Sequence, residues 1–253
     1  MPFRPVIPEK LSTAVVRQVE QLILRGILKP EKQLPPEREL AERLGVSRPS
    51  LRDAIAQLQE AGLLISKPGA GVFVADVLGS AFSPALMALF ARHDEAAMDY
   101  LSFRRDMEGL AAERAARLGS DTDLAVISAI FAKMETAHDN PEEEATLDAQ
   151  FHMSIVEASH NVVMLHMMRS MYDLLRGGVF YNRQMMFKQQ TKRAVLLDQH
   201  REIHDALLAR DSVAARTAVD AHLTYVERAL LDQQRAERHE DVALQRLDHA
   251  RGH

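Results

Sequence analysis

The sequence has no cysteine and no tryptophan among its 253 residues, and aromatic side chains account for only 5% of them. A chain without cysteine can form neither a disulfide nor a thiolate metal site, and this is typical of proteins from a reducing compartment. No apolar run reaches the roughly 20 residues of a membrane span, and the N-terminal segment lacks the apolar core of a signal peptide. We therefore expect a cytoplasmic protein with no membrane partner.

Catalytic signatures are missing as well. The sequence contains no H-E-x-x-H, no G-x-S-x-G, no Walker loop and no dinucleotide-binding fingerprint. We therefore expect that the protein is not an enzyme and has no catalytic residues.

The charge that is present is divided unevenly along the chain. Residues 1–75 carry 11 Lys and Arg against 8 Asp and Glu, whereas the rest of the chain carries 20 against 28. A basic end on an acidic body suits a protein that brings only one end to a phosphate backbone. Together with the length of the chain, this division predicts two domains.

The N-terminal part has the pattern of three short helices. Apolar residues at 3.6-residue spacing predict a helix over 11–25, with Ser12 placed as its cap. A second, short helix is predicted to end at Leu44, before a glycine turn. Ser47 then caps a third helix, which has Pro49 in its first turn.

Two helices joined by a tight glycine turn form a helix-turn-helix, whose second helix enters the DNA major groove by its first residues. Arg48 and Arg52 are four residues apart on one face of that helix, and arginine is the side chain best suited to guanine. Short β-prone runs at 63–65 and 72–74 flank the glycine-containing stretch 67–71, which predicts a hairpin wing.

Residues 34–74, LPPERELAERLGVSRPSLRDAIAQLQEAGLLISKPGAGVFV, resemble the winged helix of the GntR family of bacterial transcription regulators. The resemblance implies that Arg38 reaches a phosphate, that Arg48 and Arg52 reach base edges, and that the wing enters the minor groove. Pro49 departs from family members that have a hydroxyl side chain there. The positions that match the DNA contacts of the family are Arg38, Ser47, Arg48, Pro49, Arg52, Lys67, Gly69 and Gly71.

Beyond about Leu78 the pattern is helical throughout, with little glycine or proline. The predicted fold is therefore mostly α: a winged helix-turn-helix of three helices and a hairpin, followed by an all-α helical bundle. The predicted domains are 8–76 for DNA binding, 77–95 as a linker or first helix, 96–235 as the bundle and 236–253 as a polar tail. Within the second part, helices are predicted over 81–91, 96–118, 121–137, 142–159, 161–178, 190–209 and 212–232.

One histidine pattern in the bundle has the spacing of a metal site. Asp148 and His152 are four residues apart and therefore share a helix face, and His200 and His222 are further candidates. By spacing alone His204 is as good a ligand as His200.

Residues 100–231 resemble the FCD sensor domain of the FadR subfamily, through the motifs YLSFRRDMEGLAAERAA, DAQFHMSIVEASHN, DQHREIHDALLARD and AARTAVDAHL. The resemblance implies that Arg104 faces the carboxylate of an effector, with Arg105 as its neighbour. It also implies a divalent metal, zinc by preference, held by Asp148, His152, His200 and His222.

A finer resemblance is to the lactate- and pyruvate-responsive regulators of this subfamily. It implies a homodimeric repressor that a small acid releases from a palindromic operator. Members of the pyruvate-responsive type can lack the D-x-x-x-H pair, which this chain keeps, so the resemblance favours lactate as the effector, with pyruvate or glycolate as alternatives. Two other functions stay open: a metal-dependent hydrolase fused to a DNA-binding module, and an architectural DNA-binding protein that needs no effector.

Overall fold

The computed structural model describes residues 10–76, 89, 93–137, 140–176 and 190–251. The chain divides into two compact units, Met1–Ala81 and Phe82–His253. The first unit contains three helices and a two-stranded antiparallel hairpin, in the order α1 (Leu11–Leu24), α2 (Glu37–Leu44), α3 (Arg48–Glu60), β1 (Leu64–Lys67) and β2 (Gly71–Val74). The predicted winged helix-turn-helix is confirmed.

The turn between α2 and α3 is built as the sequence predicts. Gly45 ends α2 in the left-handed conformation, with φ of 65°, which glycine adopts without steric cost. The Ser47 hydroxyl accepts a hydrogen bond from the Ser50 backbone N–H at 3.3 Å and so caps α3. The predicted cap at Ser12 is wrong, because α1 begins at Leu11 and Ser12 is buried inside its first turn.

The three helices pack around one apolar core that also includes the base of the hairpin. The register pairs Leu64 with Val74, and both side chains are buried against the helices. Leu51 is the first residue of the buried stripe of α3 and is 1% exposed. The other buried apolar members of this core are Val15, Val19, Leu34, Ala41, Ala54, Ile55 and Leu58.

Over its described residues, the second unit consists of helices joined by short turns and contains no strand. Its helices are α4 (Asp94–Leu118), α5 (Asp121–Thr136), α6 (Pro141–Ala158), α7 (Val162–Arg176), α8 (Gln190–Leu208) and α9 (Ser212–Arg251). The helix predicted over 81–91 lies outside the described residues, apart from Leu89. Helix α9 is longer than the predicted 212–232 and continues through the predicted polar tail, because no glycine or proline interrupts the chain before Gly252.

The α4 and α9 helices make the most extensive helix pair of this unit. Ala111, Ala112, Ala115 and Ala116 of α4 are all fully buried, and such small side chains let neighbouring helices approach closely. Gly109 marks the tightest point, since a Cβ atom there would lie 2.8 Å from the Asp220 carboxylate. None of the helices, over the ranges given above, is long and apolar enough to cross a membrane.

We predict that Leu51→Ala lowers the free energy of unfolding of the first unit by roughly 2–5 kcal/mol, because it leaves a cavity between α3 and its neighbours. Ile65→Ala, at a site that is 43% exposed on β1, is the matched control and should cost far less. Denaturant unfolding of the full chain, followed in the first unit, measures both. Equal stability of the two variants would mean that Leu51 is not a core residue.

Candidate DNA-binding surface and metal centre

The side chains predicted to read DNA lie at the exposed start of α3. Ser47, Arg48, Pro49 and Arg52 are all exposed, and none of them belongs to the buried stripe of the helix. Arg38, near the start of α2, is exposed as well. The predicted residues of the recognition helix are therefore available to a ligand.

Glu37, which the sequence analysis did not single out, connects the two helices of the motif. The Arg52 Nε atom donates a hydrogen bond to Glu37 Oε2 at 2.8 Å, and a terminal nitrogen of Arg48 lies 3.9 Å from the same oxygen. A carboxylate placed between two arginines orients both guanidinium groups, although its stabilising effect at an exposed site is small. Glu37 belongs to α2 and Arg52 to α3, so the periodicity of a single helix could not reveal this contact.

The wing presents one cation beside two glycines. Gly69 and Gly71 both have positive φ, 72° and 101°, and both are exposed together with Lys67. The Lys67 ammonium lies over the Phe73 ring, 4.6 Å from its centroid, in a cation–π contact.

The four residues predicted to bind metal meet in the interior of the second unit. They come from three helices: Asp148 and His152 from α6, His200 from α8 and His222 from α9. Each is at most 5% exposed, and one candidate ligand atom from each residue lies within 4.8 Å of all the others.

The distances between these ligand atoms suit a tetrahedral ion. His200 Nε2 lies 3.0 Å from Asp148 Oδ1 and 3.2 Å from His152 Nε2, and His152 Nε2 lies 3.7 Å from Asp148 Oδ1. Zinc with bonds of about 2.0–2.1 Å and tetrahedral geometry would hold its ligand atoms roughly 3.3–3.4 Å apart. Three imidazoles and one carboxylate are also a donor set that zinc and similar divalent ions prefer. The residues present therefore fit a divalent metal.

Two further residues fix the orientation of the histidines. His152 Nδ1 lies 2.7 Å from Glu108 Oε2, and His222 Nδ1 lies 3.0 Å from Gln199 Oε1. Both oxygens can only accept, and an imidazole that donates to such an oxygen from Nδ1 has its Nε2 lone pair available for an ion. Carboxylate and carbonyl partners of this kind are usual around metal-binding histidines.

Burial favours the neutral, metal-competent form of these imidazoles. Burial lowers the pKa of His152, and the negative charges of Glu108 and Asp148 only partly oppose it. Burial also lowers the pKa of His222 well below its usual value, and the two neighbouring histidines add to the effect. Neutral imidazole is the form that binds a metal ion.

Arg104 and Arg105 are adjacent in sequence but lie in different environments. Arg104 is 1% exposed, and its Nε donates to Glu108 Oε1 at 2.7 Å. Burial alone would raise the pKa of Glu108, but the charge of Arg104 and the contacts with His152 outweigh it and hold that pKa well below its usual value. Arg105 is partly exposed and contacts Glu227 of α9 at 3.0 Å. Only Arg104 is thus connected to the histidine cluster, through Glu108.

His204, which spacing could not distinguish from His200, is not part of the cluster. Its Nε2 lies 3.0 Å from Ser128 Oγ and its Nδ1 lies 3.0 Å from Asp205 Oδ1, while its ring stacks on Phe131. A serine, a histidine and an aspartate in contact in this order resemble a catalytic triad. However, Ser128 Oγ also donates to the Leu124 carbonyl in the middle of α5. Backbone N–H groups inside a helix are already hydrogen-bonded, so they cannot stabilise an oxyanion at this serine.

Sequence reasoning missed Glu108 and Gln199, the two residues that orient the histidines. Glu108 is four residues after Arg104, and this spacing alone could have suggested an ion pair. Its contact with His152, 44 residues further along the chain, depends on how α4 packs against α6.

Several known proteins are similar to this chain. A protein of Escherichia coli (strain K12) that is named for regulation of the L-lactate dehydrogenase operon is 36% identical, over 87% of this chain and 86% of its own length. The Glc operon transcriptional activator of the same organism is 32% identical over 88% of this chain and 89% of its own length. The HTH-type transcriptional regulator LutR of Bacillus subtilis (strain 168) is 30% identical over 83% of this chain and 96% of its own length. These relatives are regulators of transcription and not enzymes.

A solved structure and two family models agree with these relatives. A GntR protein of Streptococcus agalactiae superimposes with a TM-score of 0.52 and 23% identity, over 86% of this chain and 99% of that one, which supports the fold. The family model of the bacterial regulatory proteins of the gntR family matches residues 11–74, and the FCD domain model matches residues 99–225. The chain is therefore a DNA-binding transcription regulator and belongs to the GntR family, in the subfamily that carries an FCD domain.

Proposed function

We propose that the protein is a homodimeric repressor that leaves a palindromic operator when a small 2-hydroxy acid, L-lactate by preference, binds in the FCD domain. The observation that carries the proposal is the buried set of three histidines and one aspartate, connected through Glu108 to the buried Arg104. The relative named for the L-lactate dehydrogenase operon supports the choice of acid.

On the DNA side, the proposal assigns base contacts to Arg48 and Arg52 and a phosphate contact to Arg38. The exposure of these side chains and the shared carboxylate of Glu37 support this assignment, because an oriented guanidinium loses less conformational freedom on binding. Two copies of the motif on a twofold axis would read a palindrome, of the TGGT-n-ACCA kind that the family resemblance implies.

On the sensor side, the proposal assigns a divalent metal, zinc by preference, to Asp148, His152, His200 and His222. A bound ion would supply a Lewis-acidic position for oxygen atoms of the effector. Glu108 and Gln199 hold two of the imidazoles with their Nε2 atoms toward that position, which limits the reorganisation that binding requires.

The charges of the site favour an effector with a single carboxylate. Arg104, Glu108 and Asp148 together have one net negative charge, and a divalent ion would change it to one positive charge. One carboxylate then brings the buried site to neutrality, whereas a second carboxylate would leave an uncompensated charge in the interior.

The proposal is tested with the metal-loaded full-length protein and an operator duplex. L-lactate should raise the melting temperature, because it binds the folded state, and should release the duplex. Pyruvate and glycolate are the close comparators, and malate tests the effect of a second carboxylate. Operator affinity that none of these acids changes would contradict the proposed sensor and favour an architectural DNA-binding protein.

We predict that Arg52→Ala weakens operator binding by about 1–3 kcal/mol and leaves the melting temperature unchanged, because a base contact is lost and the core is intact. Arg25→Ala, at the end of α1, is the matched control, since the proposal gives it no base contact. Affinities at one salt concentration, for the operator and for unrelated DNA, provide the measurement. If Arg52→Ala binds both duplexes as the parent does, Arg52 takes no part in readout.

We predict that replacing His152, His200 or His222 by Ala lowers metal affinity at least about ten-fold and lowers the melting temperature of the metal-loaded protein. The matched control is His204→Ala, because His204 lies on the same helix as His200 but faces Ser128. Metal content and melting with and without a chelator give the answer. Less than about 0.1 ion per chain in the parent, with His152→Ala melting as the parent does, would make these ordinary packing histidines.

We predict that Arg104→Lys abolishes the response to the acid but keeps operator affinity. Lysine retains a positive charge near Glu108 but cannot form the planar, two-pronged contact with a carboxylate. Arg105→Lys, at the partly exposed neighbour, should have a mild effect. Calorimetric titration with the acid measures both effects. If Arg105→Lys weakens binding of the acid more than Arg104→Lys does, the effector lies at Arg105.

A further inference from the structure

The segment that precedes α2 pairs with β2 through backbone hydrogen bonds and forms a third extended segment beside the two strands of the wing. The Leu34 N–H donates to the Val72 carbonyl at 2.9 Å, and the Val74 N–H donates to the Lys32 carbonyl at 3.0 Å. Gln33 lies between these two bonds, opposite β2. Because Leu34 is buried in the core of the first unit, this segment is fixed to the helices and can act as a support for the hairpin.

The Gln33 side chain extends from this segment to the tip of the wing. Its Nε2 donates a hydrogen bond of 2.6 Å to the carbonyl of Ala70, in the turn between β1 and β2. The contact is close: a Cβ atom on Gly71, where φ is 101°, would lie 3.1 Å from Gln33 Nε2. Glycine at this position therefore gives both the backbone conformation and the space that the amide needs.

A second amide holds the first strand of the wing. Gln59, in the last turn of α3, donates through Nε2 to the Ser66 hydroxyl of β1 at 2.6 Å. Gln59 thus connects β1 of the wing to α3, and Gln33 connects the tip of the wing to the segment before α2. A two-stranded hairpin is marginally stable alone, so contacts of this kind decide where its tip lies.

We propose that Gln33 is a positioning residue for DNA recognition: its side-chain amide fixes the tip of the wing, Gly69 to Gly71, in the place from which it enters the minor groove. Gln33 itself needs no contact with DNA in this role. The inference rests on the proposed DNA-binding role of the wing.

The test uses the full-length protein, an operator duplex and chemical footprinting of each groove. Gln33→Ala should weaken operator binding about three- to ten-fold, the effect of one hydrogen bond. It should also lose protection of the minor groove beside each half-site, while protection of the major groove by α3 and the melting temperature stay as in the parent. Gln33→Met keeps the length of the side chain without its amide and should behave in the same way. Gln21→Ala, at an exposed glutamine of α1, is the matched control.

A double-mutant cycle with Lys67→Ala separates positioning from direct contact. If Gln33 acts through the wing, its substitution should have little further effect once Lys67 has been removed, so the two losses should not add. Additive losses, or a Gln33→Ala footprint identical to that of the parent, would overturn this inference but leave the proposed role of the wing intact. A parent protein that leaves the minor groove unprotected would overturn the proposed role of the wing and this inference with it.

Discussion

The second unit depends on one carboxylate that two partners share inside the helical core. Glu108 contacts the Arg104 guanidinium with one oxygen and approaches the His152 imidazole with the other, and all three side chains are nearly inaccessible to water. A buried ion is tolerated only when it is paired and hydrogen-bonded. Removing any one of the three would leave an uncompensated polar group, so the contact fixes how α4 packs against α6.

The same constraint means that the cluster is not the most stable way to fill this part of the core. Apolar side chains of similar volume would fill this space at a lower electrostatic cost. Three histidines and an aspartate instead bring lone pairs together at separations close to those of a tetrahedral ion. A positive ion that binds there would lower the free energy of the folded domain. That binding free energy would add directly to the stability of the domain.

Sequence reasoning predicted local features well and long-range ones poorly. Helical spacing paired Asp148 with His152, and turn chemistry predicted Gly45, Ser47 and the wing, because these depend on neighbours within a few residues. Spacing alone could not choose between His200 and His204, because that choice depends on which face of α8 is directed toward α6. The family resemblance chose His200, and the structure brings His200 and not His204 to the other three residues.

The roles of Glu37, Gln33, Glu108 and Gln199 were missed for the same reason. Each contacts a residue on another element, and no periodic pattern links the two positions. The length of α9 was underestimated for a different reason. The described side chains of its last part are exposed and many of them are charged, which suggests a tail, although an uninterrupted run without glycine or proline also favours helix.

The proposed regulation sets a physical condition on this interior site. If an acid lowers the affinity for the operator, the operator must lower the affinity for the acid by the same factor, because linkage is reciprocal. The sensor must therefore bind the acid with different free energies in two arrangements of its helices. The proposed ligands belong to α6, α8 and α9, and Arg104 and Glu108 belong to α4. Under this proposal, a change in these contacts shifts one helix against another, because interfaces between packed helices switch between discrete arrangements instead of deforming continuously.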